Sequence, residues 1–352
     1  VTTSTGSQTS MHWPNLLTSL SRGEDLTWDE SYWAMDTIMN GEVPDAVIAG
    51  FLMALRTKGE TVAELNGLAD AMVEHARAVN VPAPALDIVG TGGDRLSSVN
   101  ISTMSALVCA GAGVRVVKHG NRASSSKSGS ADVLEALGVQ LDMPIDKVEK
   151  AASDVGITFL FAQTFHPSMR FAAVARKALG VATAFNFLGP ITNPAKVKAS
   201  AIGVADAALA PLMAGVFQNR GDRALVFRGG DGLDELTVTA PSDVWEVRDG
   251  QITEHSLEPL DFDMPRATIE DLRGQDAQYN AGVVRDVLAS TPGHIRNAVL
   301  LNSAAGLMAV DENADGEFHD RFAKAIARAA ESIDSGSAQG ILDRWVQFAR
   351  TA

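Results

Sequence analysis

The sequence predicts an α/β protein in two parts, a small N-terminal helical domain and a larger α/β domain with a mostly parallel central sheet wrapped by helices. Three observations predict it. Every local signal from Trp13 to Asn80 is helical, and a proline-rich connection, Val81-Pro82-Ala83-Pro84-Ala85, follows. Beyond Leu86, short β-rich runs alternate with amphipathic or apolar helical stretches, the alternation from which parallel sheets are built. At 352 residues the chain also exceeds the roughly 250–300 at which single cores stop growing, so two domains are expected.

The elements follow in chain order. Val1 to Ser10 is polar with no apolar leader-like run, and residues 1–12 read as a disordered lead-in. In the helical domain, residues 13–80, Thr27-Trp28-Asp29-Glu30 and Thr61-Val62-Ala63-Glu64 fit the capping box. In that motif a hydroxyl and a carboxylate three residues on satisfy each other's free backbone N–H groups. Gly41 and Gly59 supply helix stops and Pro44 fits the first turn of the helix between them, which makes about four helices. The prolines of residues 81–85 then make a stiff linker. In the α/β domain, residues 86–352, the expected strands are Leu86–Val89, Val114–Val117, Ile157–Phe161, Ala199–Val204 and Ala224–Phe227. Residues 244–255 read as a hairpin on the Asp249-Gly250 turn. After Asp276 the chain is helical to its end.

Composition excludes several function classes. The balance of 29 Lys+Arg against 43 Asp+Glu gives a formal charge of −14 with no basic cluster, which disfavours nucleic acid and anionic membrane as partners. No run approaches the roughly 20 apolar residues of a membrane span. Cys109 is the only cysteine, so no intrachain disulfide or cysteine zinc site can form, and the reducing cytoplasm is the expected location.

Two loops rich in glycine and hydroxyls carry the candidate chemistry. Gly90-Thr91-Gly92-Gly93-Asp94 follows Leu86–Val89, and the stretch from Lys118 to Ser130 follows Val114–Val117. A strand-to-loop-to-helix junction aims backbone N–H groups and a helix start at one point, where an anion binds, and two such junctions together suggest a phosphate cradle. Taken alone, the first loop is as readily a tight turn, since it matches neither G-x-G-x-x-G nor the P-loop. Ser98-Val99-Asn100-Ile101-Ser102-Thr103 would ordinarily cap the apolar helix that follows. At a phosphate site the same groups would bond phosphate oxygens or a hard cation such as Mg²⁺. Lys118 ends an apolar run, which puts its ammonium at the carboxyl end of a strand, the ligand edge of a parallel sheet.

A third cluster is Gly229-Gly230-Asp231-Gly232-Leu233-Asp234-Glu235. Adjacent carboxylates point to opposite faces of a strand and diverge by about 100° on a helix, so Asp234 and Glu235 share a cation only in irregular backbone. The glycines provide that. His119 and His166 lack metal-ligand spacing and read as packing or supporting residues. Arg170 and Arg176 are exposed helix charges, unless one turns inward beside Phe185 and the following prolines, where its fork suits an aromatic carboxylate.

The set GTGGD, NIST, KHGNRA-x-SS-x-SG-x-ADVLEALG, HPSM-to-ARK, FNFLGPITNPA and GLDELT closely resembles, in order and spacing from about residue 13 to 350, the anthranilate phosphoribosyltransferase family of tryptophan biosynthesis. The resemblance implies a fold of the nucleoside phosphorylase and phosphoribosyltransferase type, with helices near 167–188 packing back onto the helical domain and a homodimer formed through that domain. It implies that Gly90, Gly93, Asp94, Ser98, Asn100, Ile101, Ser102, Thr103, Lys118, His119, Gly120, Asn121, Arg122, Ala123, Ser124, Ser125, Ser126 and Ser130 hold 5-phosphoribosyl 1-pyrophosphate (PRPP). Ser102, Asp234 and Glu235 match Mg²⁺ positions, and Gly90, Asn121 and Arg176 match anthranilate positions. Lys118 would stabilise the leaving group, and no general base is implied. The chain departs from the family pattern at Arg95, where glycine commonly follows the motif, and at Ser97-Ser98. A pyrimidine nucleoside phosphorylase shares the architecture, but the Asp234-Glu235 pair suits a Mg²⁺-pyrophosphate donor better than free phosphate. The charge of −14 argues against the non-catalytic, nucleic-acid-binding relatives of the fold.

Overall fold

The computed structural model describes residues 11–123, 127–312 and 315–351, so all but the last two residues of the expected lead-in lie outside it. One compact unit takes the chain up to Ala76 together with Pro167–Phe185. It contains α1 (Trp13–Ser21), α2 (Trp28–Met39), α3 (Asp45–Lys58) and α4 (Val62–Glu74). The Oγ1 atoms of Thr27 and Thr61 accept from the N–H of Glu30 and Glu64 at 3.2 and 3.3 Å. Both carboxylates return the bond to the capping residue's N–H, at 2.9 and 2.8 Å. Orphan donors at both helix starts are thus satisfied. Glu64 also accepts from Leu26 N–H at 2.8 Å and from the Lys58 ammonium at 3.0 Å, so one buried carboxylate ties together α4, the lead-in to α2 and the end of α3. Pro44 precedes α3 as its extended N-cap, φ −62° and ψ 142°, instead of sitting in the first turn. Gly41 is left-handed, φ 76°, and a Cβ there would stand 2.6 Å from the ring of Phe171. The returning stretch therefore packs against the α2–α3 turn in space that only glycine leaves open.

The second unit, Arg77–His166 with Asn186–Ala352, is built on a seven-stranded sheet. Its strands are β1 (Leu86–Gly90), β2 (Val116–Gly120), β3 (Ile157–Phe161), β4 (Ala199–Gly203), β5 (Arg223–Gly229), β6 (Ser242–Arg248) and β7 (Gln251–Leu257), in the order β3-β2-β1-β4-β5-β6-β7. The first five are parallel, and β6 and β7 close one edge antiparallel. Asp249 and Gly250 turn the β6–β7 hairpin with φ of 52° and 73°, the double positive φ that a tight Asp-Gly turn requires. Strand β2 begins two residues later than the apolar run suggests and continues through Lys118 and His119, so Lys118 lies inside the strand.

The core forms where α5 (Ile101–Gly111) and the helix His294–Val310 pack on the sheet. Leu86, Ile88, Val116, Val117, Leu107 and Leu301 are each at most 1 % exposed. Burial of a side chain of this size contributes about 1.5–3 kcal/mol. Gly306 lets that helix approach so closely that a Cβ would stand 3.0 Å from both Cys109 Sγ and Leu86. Burial pushes the Cys109 thiol up to about 12, so it is an inert packing group. The chain runs outward in opposite directions from β1 (to β2 and β3) and from β4 (to β5). Open α/β sheets bind ligands beyond the carboxyl ends of the strands where this reversal occurs. No described helix is long and apolar enough to cross a membrane.

Candidate active site

At that reversal β1 and β4 end in the register pair Gly90–Gly203. A Cβ on Gly90 would collide with the Asp234 carboxylate, and one on Gly203 with the Asp234 backbone carbonyl. Both glycines are therefore room for the acidic loop after β5, whose irregular backbone sets Asp234 and Glu235 side by side at the sheet edge. Asp234 Oδ2 accepts from Gly92 N–H at 2.7 Å, which pins the first glycine loop. Glu235 Oε1 accepts from Ser102 N–H at 3.2 Å, in the first turn of α5. That turn has no acidic residue of its own, and Glu235 supplies an acceptor for one of the free N–H groups at the helix start.

Lys118 is 1 % exposed, which excludes a solvated loop lysine. Its ammonium donates to Ser102 Oγ at 3.1 Å and to the carbonyl of Ile88. Burial lowers its pKa, opposed by the carboxylates of Asp87, Glu235 and Asp234. Burial pushes Asp234 up, reinforced by the adjacent Asp94 carboxylate; Glu235 is raised by burial and then by Asp234. Burial thus favours the neutral forms of both carboxyls and of the ammonium, and a cation bound between the carboxyls would favour their ionised forms. Among the described residues no three His, Cys, Asp or Glu side chains converge on a metal position. Two carboxylates and the Ser102 hydroxyl are nonetheless an all-oxygen set that fits Mg²⁺, an ion that binds through one or two carboxylates and completes its shell with water and substrate phosphates.

The first loop is open and strained. Gly92 and Gly93 have φ of 70° and 90°, and Arg95 and Ser97 hold the left-handed region at 60° and 54°. Arg95 thus occupies a conformation that glycine adopts without cost, which gives the departure from the family pattern a physical consequence. Beyond it the backbone is anchored: Gly274 N–H donates to Ser97 O at 2.8 Å and Val99 N–H to Leu272 O at 2.9 Å, with Ser98 bridged to Arg273. Asn100 precedes α5 but does not cap it with its side chain. Its amide donates to Ser128 O at 3.2 Å and accepts from Asn280 at 2.8 Å, joining the first loop to the second. Ile101 is core, and Thr103 Oγ1 is buried beside Ser102 with no partner.

In the second loop Asn121 and Arg122 are exposed and Gly120 packs on Phe159. Arg122 is held by Asp132 at 2.9 Å and by Glu135. Asp132 Oδ2 also accepts from Ala123 N–H at 3.1 Å and Gly129 N–H at 2.9 Å, closing the loop at the start of the helix Ser130–Leu137. Ser124, Ser125 and Ser126 lie outside the described residues. His119 is buried, and desolvation drives its pKa down to about 3, with His166, whose ring centroid is 5.1 Å away, adding to the effect; it is a neutral ring whose Nδ1 meets Gly189 O at 3.1 Å. Arg176 belongs to the other unit. It is half-buried with its guanidinium 5.2 Å from the Phe185 ring centroid, and desolvation lowers its pKa, whereas Arg170 is exposed.

Three residues escape sequence reading. Asp87 is fully buried in β1, its carboxyl raised to about 6 by burial and held down from there by Lys118, Asn193 and His119 N–H. Asn193 donates to Asp87 Oδ2 at 2.8 Å and to Val117 O at 2.9 Å. Asp132 closes the second loop. Only Asp87 carried a local signal, a charge inside an apolar strand. A cleft of about 1070 Å³ opens at the opposite end of the sheet, near Pro84, Val114 and Gly156. There Arg115 and Arg328 donate to the carbonyls of Ala152 and Ala112.

The helical unit and the α/β unit each match a domain of one class of protein, the glycosyl transferase family. The helical-bundle domain of the glycosyl transferase family matches residues 14–76 and the a/b domain of that family matches 82–339. Within that class the chain belongs to the anthranilate phosphoribosyltransferases. It is 61% identical over 338 residues to the anthranilate phosphoribosyltransferase of Arthrobacter sp. (strain FB24), covering 96% of each chain. The Thermus thermophilus enzyme superposes with a TM-score of 0.89 at 41% identity, over 95% of this chain and 99% of that one. The Saccharomyces cerevisiae enzyme in complex with PRPP and Mg gives 0.85 at 27% identity, over 97% and 99%.

Proposed function

We propose that this chain transfers the 5-phosphoribosyl group of PRPP to the amine of anthranilate, releasing pyrophosphate in a Mg²⁺-dependent step of tryptophan biosynthesis. The observation that carries this reading is the convergence of Lys118, Ser102, Asp234 and Glu235 between two N–H-rich loops at the sheet reversal. Bond-breaking at the ribose C1 sends negative charge onto the departing pyrophosphate, and preorganised cations and N–H donors stabilise that charge. Lys118 would take this role, and the N–H groups of both loops would hold the donor's phosphates. Asp234, Glu235 and Ser102 would hold the ion, which when bound neutralises pyrophosphate oxygens. An arylamine is unprotonated at neutral pH, so the acceptor needs alignment more than a base. Asn121, Arg176 and the Gly90 backbone are assigned that alignment, with the Arg176 fork on the carboxylate. The dissection resembles phosphoryl transfer, where neutralising charge and positioning supply most of the catalysis. On the family likeness the chain is further assigned to a homodimer formed through the helical unit, and to the cytoplasm.

The test is the pair Asp234→Asn with Glu235→Gln. Neutral amides bind a hard dication poorly, so a folded double variant should lose most Mg²⁺-dependent turnover. Unchanged activity at limiting Mg²⁺ would remove both residues from the metal site.

A further inference from the structure

We propose that Asp87 and Asn193 are positioning residues for Lys118, holding β1 and β2 apart at the carboxyl end of the sheet so that the ammonium reaches Ser102 from between the strands. The ladder around this point is regular except here. Strands β1 and β4 pair at five positions from Leu86 to Gly90, and β2 and β3 at five from Val116 to Gly120. Between β1 and β2 the pairing stops after Leu86–Val116. Past that pair, three side chains take up backbone groups that a continued ladder would have used. His119 N–H donates to Asp87 Oδ1 at 3.0 Å, Val117 O accepts from Asn193, and Ile88 O accepts from Lys118.

The consequence for Lys118 is geometric. Strand side chains stand roughly perpendicular to the sheet, so in an unbroken β1–β2 ladder the Lys118 ammonium would leave the sheet plane instead of meeting the Ile88 carbonyl. Asn193 braces the gap with both amide hydrogens, at 2.8 Å to Asp87 and 2.9 Å to Val117 O, while its own Oδ1 accepts from Ala195 N–H at 2.9 Å. With a carboxylate and a carbonyl as its two acceptors, the amide has one satisfied orientation. Asp87 is the buried counter-charge facing Lys118 from β1. An apolar residue at position 87 would fill the strand without burying a charge, but it would leave His119 N–H and Asn193 unpaired and let the strands close.

The inference rests on the role proposed for Lys118, and a double-mutant cycle separates the two. The full-length protein is assayed for kcat and for KM towards anthranilate as wild type, Lys118→Met, Asp87→Asn and the double variant. Asp87→Asn keeps the shape and removes the charge; its kcat should fall on the order of 10-fold or more with KM changed less than about 2-fold. On the Lys118→Met background the same change should cost less than about 2-fold, because a positioning residue has nothing left to position. Losses that multiply across the cycle, or a folded Asp87→Asn with wild-type kcat, would overturn the positioning role while leaving that of Lys118 intact. A silent Lys118→Met would overturn both. Should Asp87→Asn fail to fold, Asn193→Ser takes its place in the cycle and is read by the same criteria.

Discussion

At the scale of single residues, burial decides the chemistry. Asp234 titrates near 7 in the metal-free protein because it is desolvated and faces Asp94, against roughly 3.9 for an unfolded aspartate. A carboxyl raised on folding binds its proton more tightly in the native state. Its contribution therefore turns unfavourable as pH rises from about 4 towards 7 and is fully lost above that. Metal-free protein should accordingly lose thermal stability between about pH 4 and pH 7, Asp234→Asn should flatten that slope, and added Mg²⁺ should raise the unfolding midpoint more at the upper pH than at the lower. Melting curves with chelator and with Mg²⁺ check this; equal slopes in wild type and variant would mean that Asp234 does not titrate in this window. The pairing of Asp234 with Glu235 was legible from the glycines around it. The rise in its pKa was not, because it comes first from burial in the folded site and then from Asp94, which is far away in sequence.

At the scale of elements, local rules read well and long-range ones did not. Both capping boxes and the Asp-Gly hairpin are contained within a few residues, and the structure has them where the sequence put them. Their strengths differ for a reason no motif contains. Glu30 caps a helix start near solvent, whereas Glu64 is fully buried and also holds Leu26 N–H and Lys58. Glu30→Ala should cost about 1 kcal/mol and Glu64→Ala about 3 kcal/mol or more, since the latter strands a buried N–H and an ammonium. Chemical denaturation of the two variants decides; equal losses would reduce Glu64 to an ordinary cap. Gly203 was likewise invisible as a site element, because its reason is the Asp234 carbonyl on another loop. Gly203→Ala should displace the acidic loop and abolish activity even where the protein stays folded, and activity near that of wild type would show that the loop has room to move. The roles of Asp87 and Asn193 escaped for the same cause, each acting on backbone or side chains distant in sequence, at His119 and at Val117 and Asp87.

At the scale of the whole molecule, an acidic chain of formal charge −14 keeps one buried ammonium, Lys118, at the carboxyl end of its parallel strands. That distribution suits a small phosphorylated donor held locally by N–H groups, Lys118 and a divalent ion, and it disfavours a nucleic-acid backbone. The family was legible because several of its motifs, GTGGD, NIST, the stretch from Lys118 and GLDELT, lie at or after the carboxyl ends of strands around the sheet reversal. The opening between β1 and β2 was not, since it arises only when two strands and a distant asparagine come together. The most direct measurement of the proposed function is anthranilate fluorescence in the presence of the purified chain. Fluorescence should fall only when PRPP and Mg²⁺ are both present, and should hold steady when either is omitted or Mg²⁺ is chelated. Undiminished fluorescence with folded protein, PRPP and Mg²⁺ all present, or an equal fall without PRPP, would contradict phosphoribosyl transfer to anthranilate.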